Sequence, residues 1–237
     1  MPEISIVLVE PLYEGNVGFV ARAMKNFGFT RLVLVNPCAL GDDALARASH
    51  ARDVLEGAAR MSLEEVYAES DLVVATTGEL SKSVCTSMRM PYFTPAEIRT
   101  ILEEAEGSVS ILFGRENWGL NNEEVSRADL ICTIPTSEIY PIMNLSHAVA
   151  VVCHELAHLP RGTYRLAGKT ERESLIQHFG QFLERIEHPD YKRANTLLMM
   201  RRIFGRTALT TREVSTLHGL LRRAEWHLDH PDGEEGQ

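Results

Sequence analysis

Four short segments gather residues whose chemistry is hard to explain as packing. Glu10-Pro-Leu-Tyr-Glu-Gly-Asn-Val-Gly-Phe-Val-Ala-Arg22 places an amide, Asn16, and a guanidinium, Arg22, beside Gly15 and Gly18. Thr76-Thr77-Gly78 is small and polar. Gly114-Arg-Glu-Asn-Trp-Gly-Leu120 sets Arg115 and Glu116 between glycines, and Pro135-Thr-Ser-Glu-Ile-Tyr-Pro-Ile-Met-Asn-Leu-Ser146 ends on Asn144 and Ser146. Glycine lets backbone come close to a ligand. Backbone amides and carbonyls among small polar residues suit a polar, planar ligand such as an adenine nucleoside.

Each segment follows an apolar, β-branched run. Such runs occur at 4–9, 31–35, 71–75, 109–113 and 130–134, and helical spacing separates them at about 17–28, 42–50, 62–69, 95–105, 122–127 and 145–158. Short apolar strands alternating with helices predict an α/β fold, with a mostly parallel sheet covered by helices on both faces. In such sheets ligands bind beyond the carboxyl ends of the strands, where these four segments fall. Helix starts are marked by capping boxes at Ser62…Glu65, Thr94…Glu97, Thr170…Glu173 and Thr210…Glu213.

After residue 160 the strand pattern stops. The breaker-rich, basic stretch 161–170 reads as a linker between a first domain, 1–160, and a second, 171–237, whose helical spacing runs over 171–187, 191–204 and 211–228. The final acidic tail reads as disordered. The net charge is −9, but it is unevenly spread: residues 1–159 carry 11 Lys+Arg against 22 Asp+Glu, and the remainder 13 against 11. Lys192, Arg193, Arg201, Arg202, Arg206, Arg212, Arg222 and Arg223 therefore form a basic cluster, either a solvated helical face or a set of phosphate contacts. Cys38, Cys85, Cys132 and Cys153 lie singly, unlike a disulfide framework or a cysteine zinc site. No apolar stretch approaches the roughly 20 residues of a spanning helix, and no leader pattern opens the chain. A cytoplasmic protein without a membrane segment is expected.

Taken together, three motifs resemble the SPOUT superfamily and, within it, the TrmJ-like tRNA ribose methyltransferases. They are Gly15-Asn16-Val-Gly18…Ala21-Arg22-Ala23-Met24-Lys25, Phe113-Gly114-Arg115-Glu116…Gly119-Leu120-Asn-Asn-Glu123-Glu124, and Met143-Asn144-Leu145-Ser146-His-Ala-Val, in the family's order and spacing. The resemblance implies a deep trefoil knot at the end of the α/β domain, an exception to general topology rules. It also implies S-adenosyl-L-methionine bound at Thr76, Thr77, Gly78, Phe113, Gly114, Glu116, Ile134, Ile142, Met143, Asn144 and Leu145. A homodimer with shared sites and 2′-O-methylation of cytidine or uridine at nucleotide 32 of the tRNA anticodon loop are further implications.

A 2′-hydroxyl is a poor nucleophile that must lose its proton as it attacks. The resemblance places Arg22 at that step, with Asn16, Arg115 and Ser146 orienting the nucleotide. Guanidiniums hold their protons near neutrality, which favours Arg22 as a clamp on hydroxyl and phosphate, with the proton passing to phosphate or water.

Plainer readings exist for each residue. Arg22 is otherwise a solvated helix residue, Asn16, Gly18 and Asn144 are helix-start residues, Thr76-Thr77-Gly78 is a turn, and Arg115 and Glu116 are a surface pair. His154-Glu155-Leu-Ala-His158 fits the zinc-peptidase pattern H-E-x-x-H, but no third ligand has matching spacing and the surrounding residues read as a sheet-covering helix. No metal is expected. A noncatalytic RNA- or nucleotide-binding module is the other alternative, while the absence of G-x-G-x-x-G argues against a dinucleotide oxidoreductase.

Overall fold

The computed structural model describes residues 2–78, 91–103, 105–157 and 164–230. Its strands are β1 (Glu3–Val9), β2 (Leu32–Val35), β3 (Ala59–Arg60), β4 (Leu72–Thr76), β5 (Ala105–Glu106), β6 (Ser108–Phe113), β7 (Leu130–Cys132) and β8 (Tyr164–Arg165). Its helices are α1 (Glu14–Asn26), α2 (Asp42–Ala48), α3 (Arg52–Glu56), α4 (Leu63–Glu69), α5 (Pro95–Leu102), α6 (Asn122–Ser126), α7 (Leu145–Leu156), α8 (Lys169–Arg185), α9 (Asp190–Arg206) and α10 (Thr211–Asp229).

Six strands form one sheet in the order β3-β2-β1-β6-β4-β7, every pair parallel. Central β1 pairs Val7 with Val33 on one side and with Leu112 on the other. Alternation along the strands divides the apolar side chains between two cores. Ile6, Leu8, Leu34, Val74, Ile111 and Phe113 pack with residues of α1, α2, α5 and α7. Val7, Val33, Val73, Ala75, Leu112 and Ile131 pack with Val66 and Tyr67 of α4 and Val125 of α6. Burial on both faces is what a continuous Val/Ile/Leu strand requires.

Helix α1 begins one turn earlier than its apolar spacing indicates. Glu116, from a remote loop, accepts hydrogen bonds from the backbone N–H groups of Leu12 (2.8 Å) and Tyr13 (3.3 Å), so no local capping side chain is needed. Gly18 is an interior position of α1, where a Cβ would lie 2.2 Å from the carbonyl oxygen of Ala44, so glycine is what lets α2 approach. Neither Asn16 nor Gly18 starts the helix. The capping boxes at Ser62, Thr94 and Thr210 form, and a further one forms at Asn121 with Glu124. The box at Thr170 does not. Helix α8 starts at Lys169, the Gly168 N–H donates to Glu171, and Glu173 pairs with Arg201 instead.

Of the stretch 161–170, residues 161–163 lie outside the described residues, as does the tail from 231. The remainder of that connection is packed. β8 pairs with β5, Leu166 and Ala167 are buried, and the Ala167 N–H donates to the carbonyl of Leu209 at 2.7 Å. Helices α8–α10 share an apolar core of Leu175, Ile176, Phe204, Val214 and Leu221. They dock on the sheet side that carries α4 and α6. Arg172 pairs with Asp129 and reaches the carbonyl of Asp71, Arg202 donates to the carbonyl of Val125, and Lys169 and Arg127 lie over the Tyr67 ring. Among the described residues no helix is long and apolar enough to cross a membrane.

Candidate active site

The segments that follow β4, β6 and β7 converge on one cleft of about 210 Å³. The 114–120 loop is drawn tight by two backbone bonds, Arg115 N–H to Gly119 O and Gly119 N–H to Arg115 O. A Cβ on Gly114 would lie only 2.1 Å from the Gly119 carbonyl carbon, so only glycine permits this fold-back. Arg115 then holds the loop in place. Its side chain is 5% exposed, it meets Glu124 through two nitrogens (2.9 and 3.0 Å), and its Nε donates to Glu10 at 2.8 Å. Burial works against its charge, but the bonds it donates to Glu124 and Glu10 outweigh that and keep the guanidinium above its usual value. Arg115 correspondingly holds the Glu10 carboxyl below the carboxylate range.

Thr76 closes β4 and spends its hydroxyl on the carbonyl of Leu112 (2.8 Å), while the Thr77 N–H donates to Cys132 O. This segment therefore prolongs the pairing of β4 with β7 and is more than a turn. The cleft is lined by Thr76, Thr77, Gly78, Phe113, Gly114, Glu116, Ile134, Ile142, Met143 and Leu145, each of them an expected cofactor position. Asn144, also expected there, faces elsewhere.

Asn144, Asn16, Arg22 and Ser146 line a second, shallower groove between α1 and α7, together with Phe19, Ala23, Asn26, His147 and Ala150. Along 143–146 the chain alternates: Met143 and Leu145 line the cleft, and Asn144 and Ser146 line the groove. A hydrogen-bonded chain ties the motifs together. Asn16 Nδ2 donates to Glu116 (2.9 Å), Asn144 Nδ2 donates to Asn16 Oδ1 (3.2 Å), and Asn144 Oδ1 accepts from the Ser146 N–H (2.9 Å) and hydroxyl (2.8 Å). Asn144 thereby also caps α7. Arg22 is exposed, two turns along α1 from Asn16, with no ion-pair partner among the described residues.

Two sequence expectations need correcting. Arg115 and Glu116 do not pair at the surface; each is committed to a different element. Nor does Arg115 reach the groove to orient a nucleotide, since its nitrogens are engaged by carboxylates and the Gly119 carbonyl. The sequence reading missed Asn117, Trp118, Cys132, Thr136 and Pro141 in the cleft, although most lie within the segments it singled out. It also missed Phe19, Ala23 and Asn26 in the groove, whose helical spacing from Asn16 and Arg22 was the available signal.

The basic cluster divides. Arg201 is bound to Glu173, Arg202 is buried, and Arg193 is held by Glu184 and Asp190, whereas Lys192, Arg206, Arg212, Arg222 and Arg223 are exposed. Of the H-E-x-x-H residues, His158 lies outside the described residues. His154 is exposed with its ring edge-on to Phe27, and Glu155 lies 3.8 Å from Arg99. Among the described residues no group of three His, Cys, Asp or Glu side chains could hold a metal. Cys38, Cys132 and Cys153 are free thiols, with burial pushing the last two up to about 12; Cys85 lies outside the described residues.

The sequence pattern of the SpoU rRNA Methylase family matches residues 3–154. The chain belongs to this family. Among SpoU methylases and their relatives, it is 38% identical over 223 residues to the tRNA (cytidine-2′-O-)-methyltransferase TrmJ of Methanocaldococcus jannaschii, covering 90% of this chain and 96% of that one. It is 33% identical to the tRNA (cytidine/uridine/adenosine-2′-O-)-methyltransferase TrmJ of Pseudomonas aeruginosa, covering 95% of each. The crystal structure of TrmJ from Z. mobilis ZM4 superposes with a TM-score of 0.69 at 31% identity, covering 95% of this chain and 99% of that one. The SpoU methylase match spans the α/β part with its cleft and groove, while the relatives cover 90–95% of the chain and so reach beyond it into the C-terminal helices.

Proposed function

We propose that this chain is an S-adenosyl-L-methionine-dependent tRNA 2′-O-ribose methyltransferase acting on cytidine or uridine at nucleotide 32 of the anticodon loop. The observation that carries the reading is the 143–146 segment, which separates a nucleoside-sized cleft from the groove holding Arg22 by the width of one backbone. The tRNA 2′-O-methyltransferases among the relatives support the substrate class.

The cleft fits the cofactor. Ile134, Ile142 and Leu145 supply apolar surface for an adenosyl group, and the backbone of Thr77, Gly78 and the 114–120 loop supplies polar groups beside it. When bound, S-adenosylmethionine supplies an electrophilic methyl group on a sulfonium. The chain's own residues do the rest. Arg22 clamps the ribose hydroxyl and adjacent phosphate, stabilising charge that develops as the hydroxyl proton leaves to phosphate or water. Asn16 and Ser146, fixed by Asn144, orient the nucleotide. Arg115 acts at one remove, through the rigidity of the 114–120 loop.

The reading extends to assembly. α8–α10 contact tRNA phosphates through Lys192, Arg206, Arg212, Arg222 and Arg223, and two chains pair through the knot region so that each site is shared. The chain from β6 to α7 is threaded as a trefoil knot, the first 160 residues form the methyltransferase domain, and the enzyme works in the cytoplasm without a metal. Unmodified tRNA transcripts incubated with labelled S-adenosylmethionine and digested for nucleoside mass spectrometry test the function. A 2′-O-methylated pyrimidine mapped to nucleotide 32 is expected, and the absence of methylated nucleoside from every tRNA, with cofactor bound, would sink the reading.

A further inference from the structure

Trp118 stands in the tight 114–120 loop at the edge of the cleft, 56% exposed. Its ring lies over the Arg115 guanidinium, with Cζ 4.1 Å from the ring centroid. That guanidinium is immobilised by Glu124 and Glu10, so the indole rests on a fixed cation while much of its surface stays open to solvent. The same cleft is lined by Pro141 and Ile142, the latter 50% exposed. A large ring held in one orientation and left partly bare is pre-organised to accept another flat group, because the ordering cost is met before binding.

We propose that Trp118 is a stacking platform for a nucleobase of the substrate RNA, next to the ribose that is methylated. The inference rests on the tRNA methyltransferase reading and adds a residue that recognises the substrate. Trp118 lies outside the set of expected cofactor positions and carries a ring already fixed over Arg115, which favours an RNA base over the cofactor's adenine. Buried Phe113 and Leu145 mark the interior of the cleft, and Trp118 stands at its rim, where RNA arrives from outside. Stacking tolerates any base, since each has a π-face, so the platform positions the strand without selecting its sequence.

Trp118 and Trp226 are the chain's two tryptophans, so Trp226→Phe leaves Trp118 as the single indole reporter. With S-adenosylhomocysteine saturating, titration with tRNA is expected to quench this fluorescence further. Trp118→Ala should raise the KM for tRNA about tenfold, the order expected for one lost stacking contact. Its kcat and its Kd for S-adenosylhomocysteine should stay near parental values, and Trp118→Phe should recover most of the loss. Quenching completed by S-adenosylhomocysteine alone, an unchanged KM in Trp118→Ala, or weakened cofactor binding in that variant would overturn the proposal and make the ring a wall of the cofactor cleft. If the parental chain methylates no tRNA at all, it is the proposed function that fails.

Discussion

Asn144 and Asn16 lie 128 residues apart, yet their side-chain amides meet at 3.2 Å, and through this contact the start of α7 is fixed against the first turn of α1. Arg22 lies farther along that same helix. A bond between two neutral amides at the surface contributes modestly to stability. Its consequence is positional, because it sets the side of the cleft against the helix that bears Arg22, the proposed clamp.

Asn144→Ala removes both this bond and the α7 cap. The lost cap costs about 1 kcal/mol, which for a chain of this size lowers Tm by roughly 2–4 °C. The loss of methyl transfer should exceed what that small destabilisation explains, with tRNA affinity nearly retained. Differential scanning calorimetry beside single-turnover methylation separates the two effects. A normal rate in a mildly destabilised protein would show that the Asn16–Asn144 contact does not position the site.

Arg115→Met strands Glu124, a carboxylate with only 7% of its side chain exposed. Breaking such a buried pair costs about 3–5 kcal/mol, and the 114–120 loop should loosen with it. Urea unfolding should show the loss directly, and cofactor calorimetry should show weakened binding. If the protein is as stable as the parent, Arg115 does not brace the 114–120 loop.

The five longer strands, most helices and the segments flanking the cleft were legible in the sequence because each has a local cause: β-branched runs, apolar spacing, a hydroxyl three residues before a glutamate. The two-residue strands β3, β5 and β8 carry no such run, and β8 falls in the stretch read as a linker. Several features were not legible. The role of Glu116 at the start of α1 depends on a contact spanning about a hundred residues, and no local pattern encodes it. The pairing of Arg115 with Glu10 follows from the sheet placing β1 beside β6, which strand order alone determines. The basic cluster reads as uniform in sequence, and only packing divides it into buried structural arginines and free ones.

That division yields a test. Replacing Arg212, Arg222 and Arg223 with Gln should leave folding intact and flatten the salt dependence of tRNA binding, the slope falling by about one per phosphate contact removed. Arg201→Gln, which releases Glu173, should instead lower thermal stability. Equal salt slopes in the triple variant and the parent would remove the exposed arginines from the RNA interface.

His178 and His218 stack between α8 and α10 with their Nδ1 atoms 2.7 Å apart, and His178 also meets Glu225. Burial first, then the neighbouring His178 and Arg222, pushes His218 below the ordinary imidazole value of 6.5. The unfolded chain therefore takes up this proton before the folded one. Stability should be level above about pH 6.5 and should fall as the pH drops below it, as the proton linkage requires. Thermal unfolding at a series of pH values checks this against His218→Gln, in which the acid-side decline should be shallower. Identical pH profiles would place the acid sensitivity elsewhere.

Arg22 gives the sharpest test of how the site works, because the cleft and the groove are lined by different residues and can be assayed apart. Arg22→Ala touches no residue of the cofactor cleft, so cofactor affinity by calorimetry should hold. Methyl transfer should fall a hundredfold or more, about 2.7 kcal/mol of transition-state stabilisation. Arg22→Lys keeps the charge and loses the planar fork, so a clamp spanning hydroxyl and phosphate should recover only part of the rate. If each site is shared between two chains, mixing Arg22→Ala protein with a cofactor-binding variant should restore some activity in the mixed dimers. Parental single-turnover rates for Arg22→Ala would remove this residue from the chemistry and leave the cleft, the groove and the family membership standing.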